Sequence, residues 1–173
     1  HSLACIERGI AVLVEKPIAN RVSDARRMVE ACNKNGVVLS VAHTQSRLSG
    51  YRKMKAMIQA GSLGKIVTVE TNFSHNGGFR LTPKMWRWYE EECPGGPMMT
   101  LGVHPADTRQ YLLGPVRSVS AFFSRLCLQT EIIDTGTAIL QFESEALGYL
   151  GCNFITPWVN YCNVYGTEAN LYL

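Results

Sequence analysis

The sequence predicts an α/β chain made of two unlike parts, and two observations carry this prediction. Near the start, apolar runs typical of buried strands alternate with helical patterns, which is the rhythm of a parallel sheet with crossover helices. After residue 115, strand-like runs follow one another with short connections, which indicates an antiparallel or mixed sheet. We therefore expect the last βα units of a parallel sheet, followed by a large open, mostly antiparallel sheet with helices on one face.

The first part is predicted to hold two helices. Ser2 is placed to cap a short helix that runs to Arg8 and stops at Gly9. A second helix begins at Ser23 and stops at Gly36, with an apolar stripe between them. A glycine just past the last apolar turn is a common helix end, because it adopts the left-handed conformation without strain.

Two strands complete the first part. Residues 10–14 are an unbroken apolar run rich in β-branched side chains, which predicts a strand buried on both faces. Residues 37–42 are predicted to form a second buried strand. Two such strands are too few for a self-sufficient doubly wound sheet, and the sequence contains no G-x-G-x-x-G turn. We expect this part to be the end of a larger nucleotide-binding domain.

The second part opens with a helix over residues 50–60, stopped by Gly61. Residues 65–74 then alternate apolar and polar side chains, as a strand with one buried face does. Later strands are predicted at residues 116–125, 135–142, 146–155, 160–166 and 170–173. Val119, Ala121, Phe123, Leu140 and Phe142 are apolar positions that helices on one face cannot all bury, so we expect association through the sheet.

Residues 94–114 form the central stretch, in which a double glycine leads into a helix that ends at Gly114. Side chains three and four apart share a helical face, so Thr100, His104 and Asp107 are predicted to point the same way. Pro105 lacks the backbone donor that a helix needs, which predicts a kink beside His104.

A histidine with an aspartate one turn away can perform acid/base chemistry. The imidazole accepts a proton near neutral pH, and the carboxylate orients the ring and stabilises its cation. His104 and Asp107 are therefore candidate catalytic residues. The competing interpretation is a helix whose histidine only caps or packs, because both residue types are common on helices.

Lys16 follows the first predicted strand, and ligands gather at the carboxyl ends of strands in open α/β sheets. Pro17 fixes the turn behind it. We take Lys16 as a candidate catalytic residue and Glu15, Lys16 and Pro17 as candidate cofactor contacts. A solvated lysine paired with Glu15 is the alternative.

Further polar and aromatic side chains lie where a substrate could bind. His43 follows the second predicted strand, with Arg47 close behind, although a plain polar loop would look the same. Trp86 belongs to an aromatic cluster that could stack on a sugar-like ligand or simply pack. Together with Thr100 and His104, these residues are the candidate substrate contacts.

A metal site built from His43, His75, His104 and Asp107 is a weaker alternative. No two of these histidines have the short spacing typical of a zinc site, so such a site would depend on the folded geometry.

Composition narrows the remaining classes. The 173 residues are 46% hydrophobic and 18% charged, with a net charge of +3. The basic residues are scattered, which argues against a nucleic-acid or membrane patch. No apolar run reaches the roughly 18 residues of a spanning helix, and no signal peptide is visible at the start. Six cysteines without a C-x-x-C pair favour buried reduced thiols in a cytoplasmic protein over disulfides.

Six short motifs, in order and at sensible spacing, resemble the Gfo/Idh/MocA family of NAD(P)-dependent oxidoreductases. Residues 15–17 resemble its E-K-P motif, and residues 60–66 its x-G-x-L-G-x-I junction. Residues 86–87, the glycines at 95–96 and residues 102–107 resemble its W-R, G-G and G-x-H-x-x-D stretch. Residues 165–171 resemble its G-T-x-G-x-L ending.

The resemblance implies two domains, with residues 1–45 ending a Rossmann domain that binds NAD or NADP and residues 46–173 forming a substrate and oligomerisation domain. It implies that Lys16 contacts substrate and nicotinamide ribose, and that His104 is the acid/base, with Asp107 at the family aspartate. It further implies hydride transfer to or from a hydroxyl or carbonyl carbon of a sugar, polyol or related small molecule, and a homo-oligomer formed through the open sheet.

Two departures from the family pattern matter. Thr100 stands where the family has an aspartate, so we expect His104 to be a weaker base. The glycines that cradle the cofactor phosphates are expected to precede His1. The rival hypothesis is therefore a ligand-binding or dimerisation module of the same fold without catalysis.

Overall fold

The computed structural model describes residues 1–173, which divide into two compact units at His43 and Thr44. The first unit holds four elements: α1 (Ser2–Ile6), β1 (Val12–Val14), α2 (Val22–Asn35) and β2 (Leu39–Val41). β1 and β2 pair in parallel, with Val14 opposite Val41. The alternation of helix and strand read from the sequence is therefore confirmed.

Burial in the first unit departs from the prediction. Leu13 is 73% exposed and Ile10 52%, so β1 is not buried on both faces. The two-stranded sheet contacts α1 and α2, and exposure alternates along each strand, which leaves one face open. Ser2 is also not a cap: it is the first helical residue, and His1 precedes it.

The second unit contains two helices and six strands. They are α3 (Ser49–Gln59), β3 (Ile66–Ser74), α4 (Val103–Leu113), β4 (Val116–Ser124), β5 (Thr135–Phe142), β6 (Leu147–Asn153), β7 (Val159–Gly166) and β8 (Asn170–Tyr172). The strands form one sheet in the order β4-β5-β6-β3-β7-β8, and only the β3–β6 pair is parallel. A mostly antiparallel sheet was the prediction, and it is confirmed.

Helices α3 and α4 bury one face of this sheet. Tyr51 and Met54 on α3 and Leu112 on α4 share one apolar core with sheet residues such as Val69 and Val164. Leu140 and Phe142 also lie in this core, at 7% and 0% exposure, so the expectation that they would add to an uncovered apolar surface is wrong. The β5 positions between them point to the other face, as the two-residue period of a strand requires.

The opposite face of the sheet is open. Phe122, Ile139 and Leu147 are between 50% and 79% exposed there. Strand β4 is exposed on both faces, because it forms the edge of the sheet beyond the reach of the helices, and Val119 and Phe123 are exposed for that reason. No helix in the structure combines the length and apolar character needed to cross a bilayer.

A buried carboxylate fixes the β4–β5 connection. Asp134 is fully buried, and its Oδ2 accepts hydrogen bonds from the backbone N–H groups of Leu126, Cys127 and Leu128 at 3.0, 2.7 and 3.0 Å. One carboxylate thus satisfies three consecutive backbone donors, which would otherwise need water or a different loop.

Replacing this carboxylate tests the arrangement. We expect Asp134→Asn to lower the free energy of unfolding by roughly 2–4 kcal/mol, because an amide cannot accept from all these donors and leaves buried groups unmatched. Urea unfolding followed by circular dichroism measures the loss. Glu143→Gln, at an exposed position after β5, is the matched control and should change little. Equal stability of the two variants would contradict the proposed role.

Candidate active site

Polar side chains gather at the carboxyl edge of the small parallel sheet. Lys16 follows β1, and His43 follows β2, whose Ala42 N–H donates to the Val14 carbonyl at 2.8 Å. The two strand ends are therefore neighbours, as the sequence predicts for ligand-binding positions in an α/β sheet. Lys16 and Pro17 are partly buried, whereas Glu15 is exposed.

In the second unit, a wide helical turn precedes α4. Residues Met98–Gly102 form a π-helical turn, in which backbone hydrogen bonds span five residues and more residues fit in each turn. The sequence predicts a disturbed helix beside Pro105, because a proline nitrogen cannot donate a hydrogen bond to the preceding turn. In the structure, the disturbance takes the form of this π-helical turn. A regular helical phase from Thr100 to His104 is therefore lost, and the predicted common face with Thr100 does not follow from α-helical spacing.

The glycine turn before this helix has a steric cause. Gly96 has a φ of +46°, and a Cβ built on it would lie 2.4 Å from the Ile133 carbonyl oxygen. The Thr100 hydroxyl donates to the Gly96 carbonyl at 3.0 Å, and Thr100 is 6% exposed. The double glycine thus lets the chain pass closely beneath the loop before β5, and Thr100 fixes the turn.

His104 is the second residue of α4 and lies against β3. Its ring centroid is 5.7 Å from that of Phe73, with the planes inclined at 50°. Nδ1 of His104 and Oδ2 of Asp107 are both shielded from solvent. Proton exchange with a substrate would therefore use Nε2, the other ring nitrogen of His104.

The start of α4 is tied to the short 3₁₀ turn Gln45–Arg47. The Thr108 hydroxyl lies 2.9 Å from the His104 carbonyl, to which it donates, and 3.5 Å from Oε1 of Gln45. Gln45 is buried, whereas Arg47 in the same turn is exposed. The turn after residue 43 therefore supports the His104 backbone through Gln45.

A row of rings leads away from His104. Phe73 meets Trp158 edge-on at 5.4 Å, and Trp158 stacks against His75 at 6.3 Å between centroids. His75 in turn stacks on Phe154 at 5.4 Å. These side chains come from the end of β3 and from the loop that joins β6 to β7, so the sheet topology brings distant parts of the sequence together.

A cleft of about 490 Å³ opens beside this row, which is within the size range of small-molecule sites. It is lined by His75, Asn76, Gly77, Arg80 and Trp158. The Gly77 N–H donates to Nδ1 of His75 at 2.9 Å, so the neutral ring carries its proton on Nε2. Desolvation by burial lowers the pKa of His75, and the nearby cations Arg80 and Arg87 lower this pKa further.

Trp86 lies in a different setting. The Arg87 guanidinium lies over its ring, 4.4 Å from the centroid, so one face of Trp86 is already covered. Trp86 is 44% exposed in the 3₁₀ turn Trp86–Trp88. No group of three or more His, Cys, Asp or Glu side chains is arranged as metal ligands would be.

Sequence reasoning missed Arg80 and Trp158, which now line the cleft. Arg80 lies in the turn after β3, and Trp158 directly precedes β7, but no local pattern marks the two residues as neighbours. His75 was noticed only as a metal candidate. The signal available was their position at strand ends, where ligands gather in many folds.

Known proteins match both units. A family model described as the GFO/IDH/MocA C-terminal domain matches residues 51–172, and one described as an oxidoreductase family with an NAD-binding Rossmann fold matches residues 1–43. A 1,5-anhydro-D-fructose reductase from Ensifer adhaerens is 30% identical over 99% of this chain and 52% of its own length.

Solved structures agree with this match. A protein of Desulfitobacterium hafniense, described as an NADPH-dependent oxidoreductase, aligns with a TM-score of 0.95 at 37% identity over 99% of this chain and 50% of its own. The WlbA dehydrogenase from Bordetella pertussis, solved with NADH and UDP-GlcNAcA, aligns with a TM-score of 0.91 at 30% identity, covering 99% of this chain and 50% of its own. The chain thus spans about half the length of these relatives.

The fold and the matched residues place the chain in an oxidoreductase family with an NAD-binding Rossmann fold. The chain belongs to the Gfo/Idh/MocA family, and the resemblance read from its motifs is confirmed.

The environment of His75 predicts a specific titration. By NMR, His75 should titrate below the usual value of about 6.5, because burial and the two arginines disfavour its cation. A base with a lowered folded pKa binds its proton more weakly when folded. Stability should therefore fall as the pH drops through 6.5 and level off below the folded pKa.

Arg80→Gln should raise the pKa of His75 toward its usual value, because one of the two nearby cations is removed. The rise should be incomplete, because the desolvation of the ring remains. Arg117→Gln, on the exposed edge strand β4, is the control and should leave this pKa unchanged. A His75 that titrates at or above 6.5 in the folded chain would contradict this description of the cleft.

Proposed function

We propose that the whole protein transfers a hydride between NAD or NADP and a hydroxyl or carbonyl carbon of a sugar, polyol or related small molecule. The observation that carries this proposal is His104, a half-buried ring that packs against Phe73 in the row of rings beside the cleft. Removing a hydride from an alcohol carbon requires its hydroxyl proton to leave as well, so a base must stand next to that hydroxyl.

The residues of the first unit fit one end of a nicotinamide cofactor. Lys16 and His43 follow β1 and β2, whose paired ends form a sheet edge of the kind that binds such ligands. The phosphate-binding glycine turn is not among these 173 residues. When bound, the cofactor supplies or accepts the hydride.

Each proposed residue has a defined task. His104 takes the hydroxyl proton during oxidation and returns it during reduction, and Asp107 favours the protonated ring. Lys16, with Glu15 and Pro17, contacts the nicotinamide ribose, and the Lys16 ammonium polarises the reacting oxygen. His43, Arg47, Trp86 and Thr100 are retained as proposed substrate-side residues on the family resemblance.

The chemistry is tested in the full-length protein. We expect His104→Ala to lower kcat and kcat/KM together by roughly a hundredfold or more, as the loss of an acid/base group does. Steady-state assays with nicotinamide cofactors against sugars, polyols and their oxidised forms provide the measurement. Gln110→Ala, on an exposed position of the same helix, is the control and should keep full activity. Full activity in His104→Ala would assign α4 a purely structural role and favour a non-catalytic module.

We also propose a cytoplasmic homo-oligomer formed through the open face of the six-stranded sheet. All six cysteines are free thiols, which suits a reducing compartment. The open face combines exposed Phe122, Ile139 and Leu147 with a tyrosine group in which Tyr165 donates to Glu70 at 2.9 Å. An exposed apolar surface rimmed by such polar groups is typical of a protein interface.

Sedimentation of the chain over a wide micromolar range tests the association. We expect dimers or larger species, and Ile139→Glu should shift them to monomer because a charge on this face would be desolvated. Val22→Glu, at an exposed position of α2, should leave the distribution unchanged. A monomer at every concentration would rule out this interface.

A further inference from the structure

The cleft beside Trp158 has a chemical character that hydride transfer alone does not require. The charged groups that act on His75 are Arg80 and Arg87, and both are cationic. A cleft that served only neutral polyols would need hydrogen-bonding groups of both kinds and no excess of positive charge. The local field instead favours a negatively charged guest.

Two donors in the cleft are set to meet an anion. The Arg80 guanidinium ends the 3₁₀ turn Gly77–Arg80 and can form paired hydrogen bonds to a carboxylate or phosphate. Because Nδ1 of His75 accepts from the Gly77 N–H, the Nε2–H of the neutral ring is a further donor.

The turn that carries these donors is held against the sheet. The Gly78 N–H donates to the Phe154 carbonyl at 3.0 Å, and a Cβ on Gly78 would lie 2.7 Å from that same oxygen. The His75 N–H donates to the Asn153 carbonyl at 3.1 Å. The backbone that carries these donors is therefore positioned before a ligand arrives, which reduces the entropy lost on binding.

Trp158 adds an apolar surface between the cations and the acid/base. It is 67% exposed, and its ring contacts both Phe73, the neighbour of His104, and His75. Exposed tryptophan of this kind is costly to leave in water and stacks well on a flat apolar face of a ligand. A ligand lying on Trp158 would thus reach from the Arg80 end of the cleft toward His104.

We propose that the substrate carries an anionic group, a carboxylate or a phosphate, which Arg80 and His75 bind while its carbon skeleton lies on Trp158. This inference rests on the proposed function, because it assigns the class of substrate to the same site. The anion lies at the far end of the skeleton from the hydroxyl that His104 deprotonates. Arg80 and Trp158 are then specificity residues, and neither takes part in the chemical step.

Calorimetric titration of the chain without cofactor tests the assignment. The ligands are D-glucuronate, D-glucose 6-phosphate, neutral D-glucose and inorganic phosphate. We expect at least one of the two sugar anions to bind about tenfold or more tightly than glucose, as a charge-assisted hydrogen bond supplies. The comparison of glucuronate with the sugar phosphate identifies which anion the cleft prefers.

Variants locate the binding. Arg80→Gln should abolish the preference for the anionic sugar, and Arg117→Gln should retain it. Trp158→Ala should weaken binding of the anionic sugar by roughly tenfold through lost stacking, whereas Tyr111→Ala, at an exposed aromatic position near the end of α4, should have no effect. Arg80 and Trp158 are both largely exposed, so these variants are expected to fold, and circular dichroism verifies this.

Several results would overturn the inference. Glucose binding as tightly as both sugar anions, an unchanged preference in Arg80→Gln, or inorganic phosphate binding as tightly as the sugar phosphate would each do so. Activity assays of the full-length enzyme distinguish failure of this inference from failure of the proposed function. Turnover of neutral polyols that depends on His104, without any anion preference, would refute the inference alone.

Discussion

The central position of β3 is the constraint on which the rest of the second unit depends. This strand pairs in parallel with β6 and antiparallel with β7, so its backbone groups are satisfied on both sides. Its last residue, Ser74, is 1% exposed, and the Ser74 hydroxyl accepts from the Asn153 N–H at 3.0 Å. The chain therefore leaves the middle of the sheet in a fixed direction, and Phe73 and His75 are fixed with it.

Local signals were sufficient for most of the fold. A few neighbouring residues are enough to recognise three features of the fold. These are the two-residue period of the strands, the glycines that follow α2 and α3, and the run of strands after α4. Burial was predicted less well. Residues 10–14 look like a fully buried strand, yet Leu13 is exposed, because burial depends on which elements cover the strand and not on its own composition.

In the candidate site too, features with a local sequence signal could be predicted, whereas features that depend on the folded arrangement could not. His104 could be found from the sequence because an aspartate and a double glycine accompany it within a few residues. The ring row could not, since Phe73, His104 and Trp158 are far apart in the chain and meet only through the order of the strands. The sequence also did not predict the π-helical turn itself, because a proline indicates a disturbed helix without specifying which hydrogen-bond pattern replaces the regular one.

Helix α4 carries a buried cation, Arg109. Arg109 is 1% exposed, and its Nε donates to the Pro105 carbonyl at 3.0 Å. Desolvation lowers the pKa of Arg109 to about 10, so it remains charged at neutral pH. Burial raises the pKa of its neighbours Cys152 and Cys162 to about 12 each, so neither thiol neutralises the guanidinium. The charge is therefore held without a carboxylate, an arrangement that costs stability.

The connection held by Asp134 has a practical consequence. Cys127 has an exposed side chain, and its backbone N–H donates to Oδ2 of Asp134 at 2.7 Å. Burial raises the pKa of Cys93 to about 11, so this thiol stays protonated near neutral pH, as Cys152 and Cys162 do. Within the second unit, a maleimide dye or a nitroxide would therefore attach at Cys127, on backbone that is hydrogen-bonded to the buried Asp134 carboxylate. Such a label would report distances within the sheet rather than the motion of its own tether.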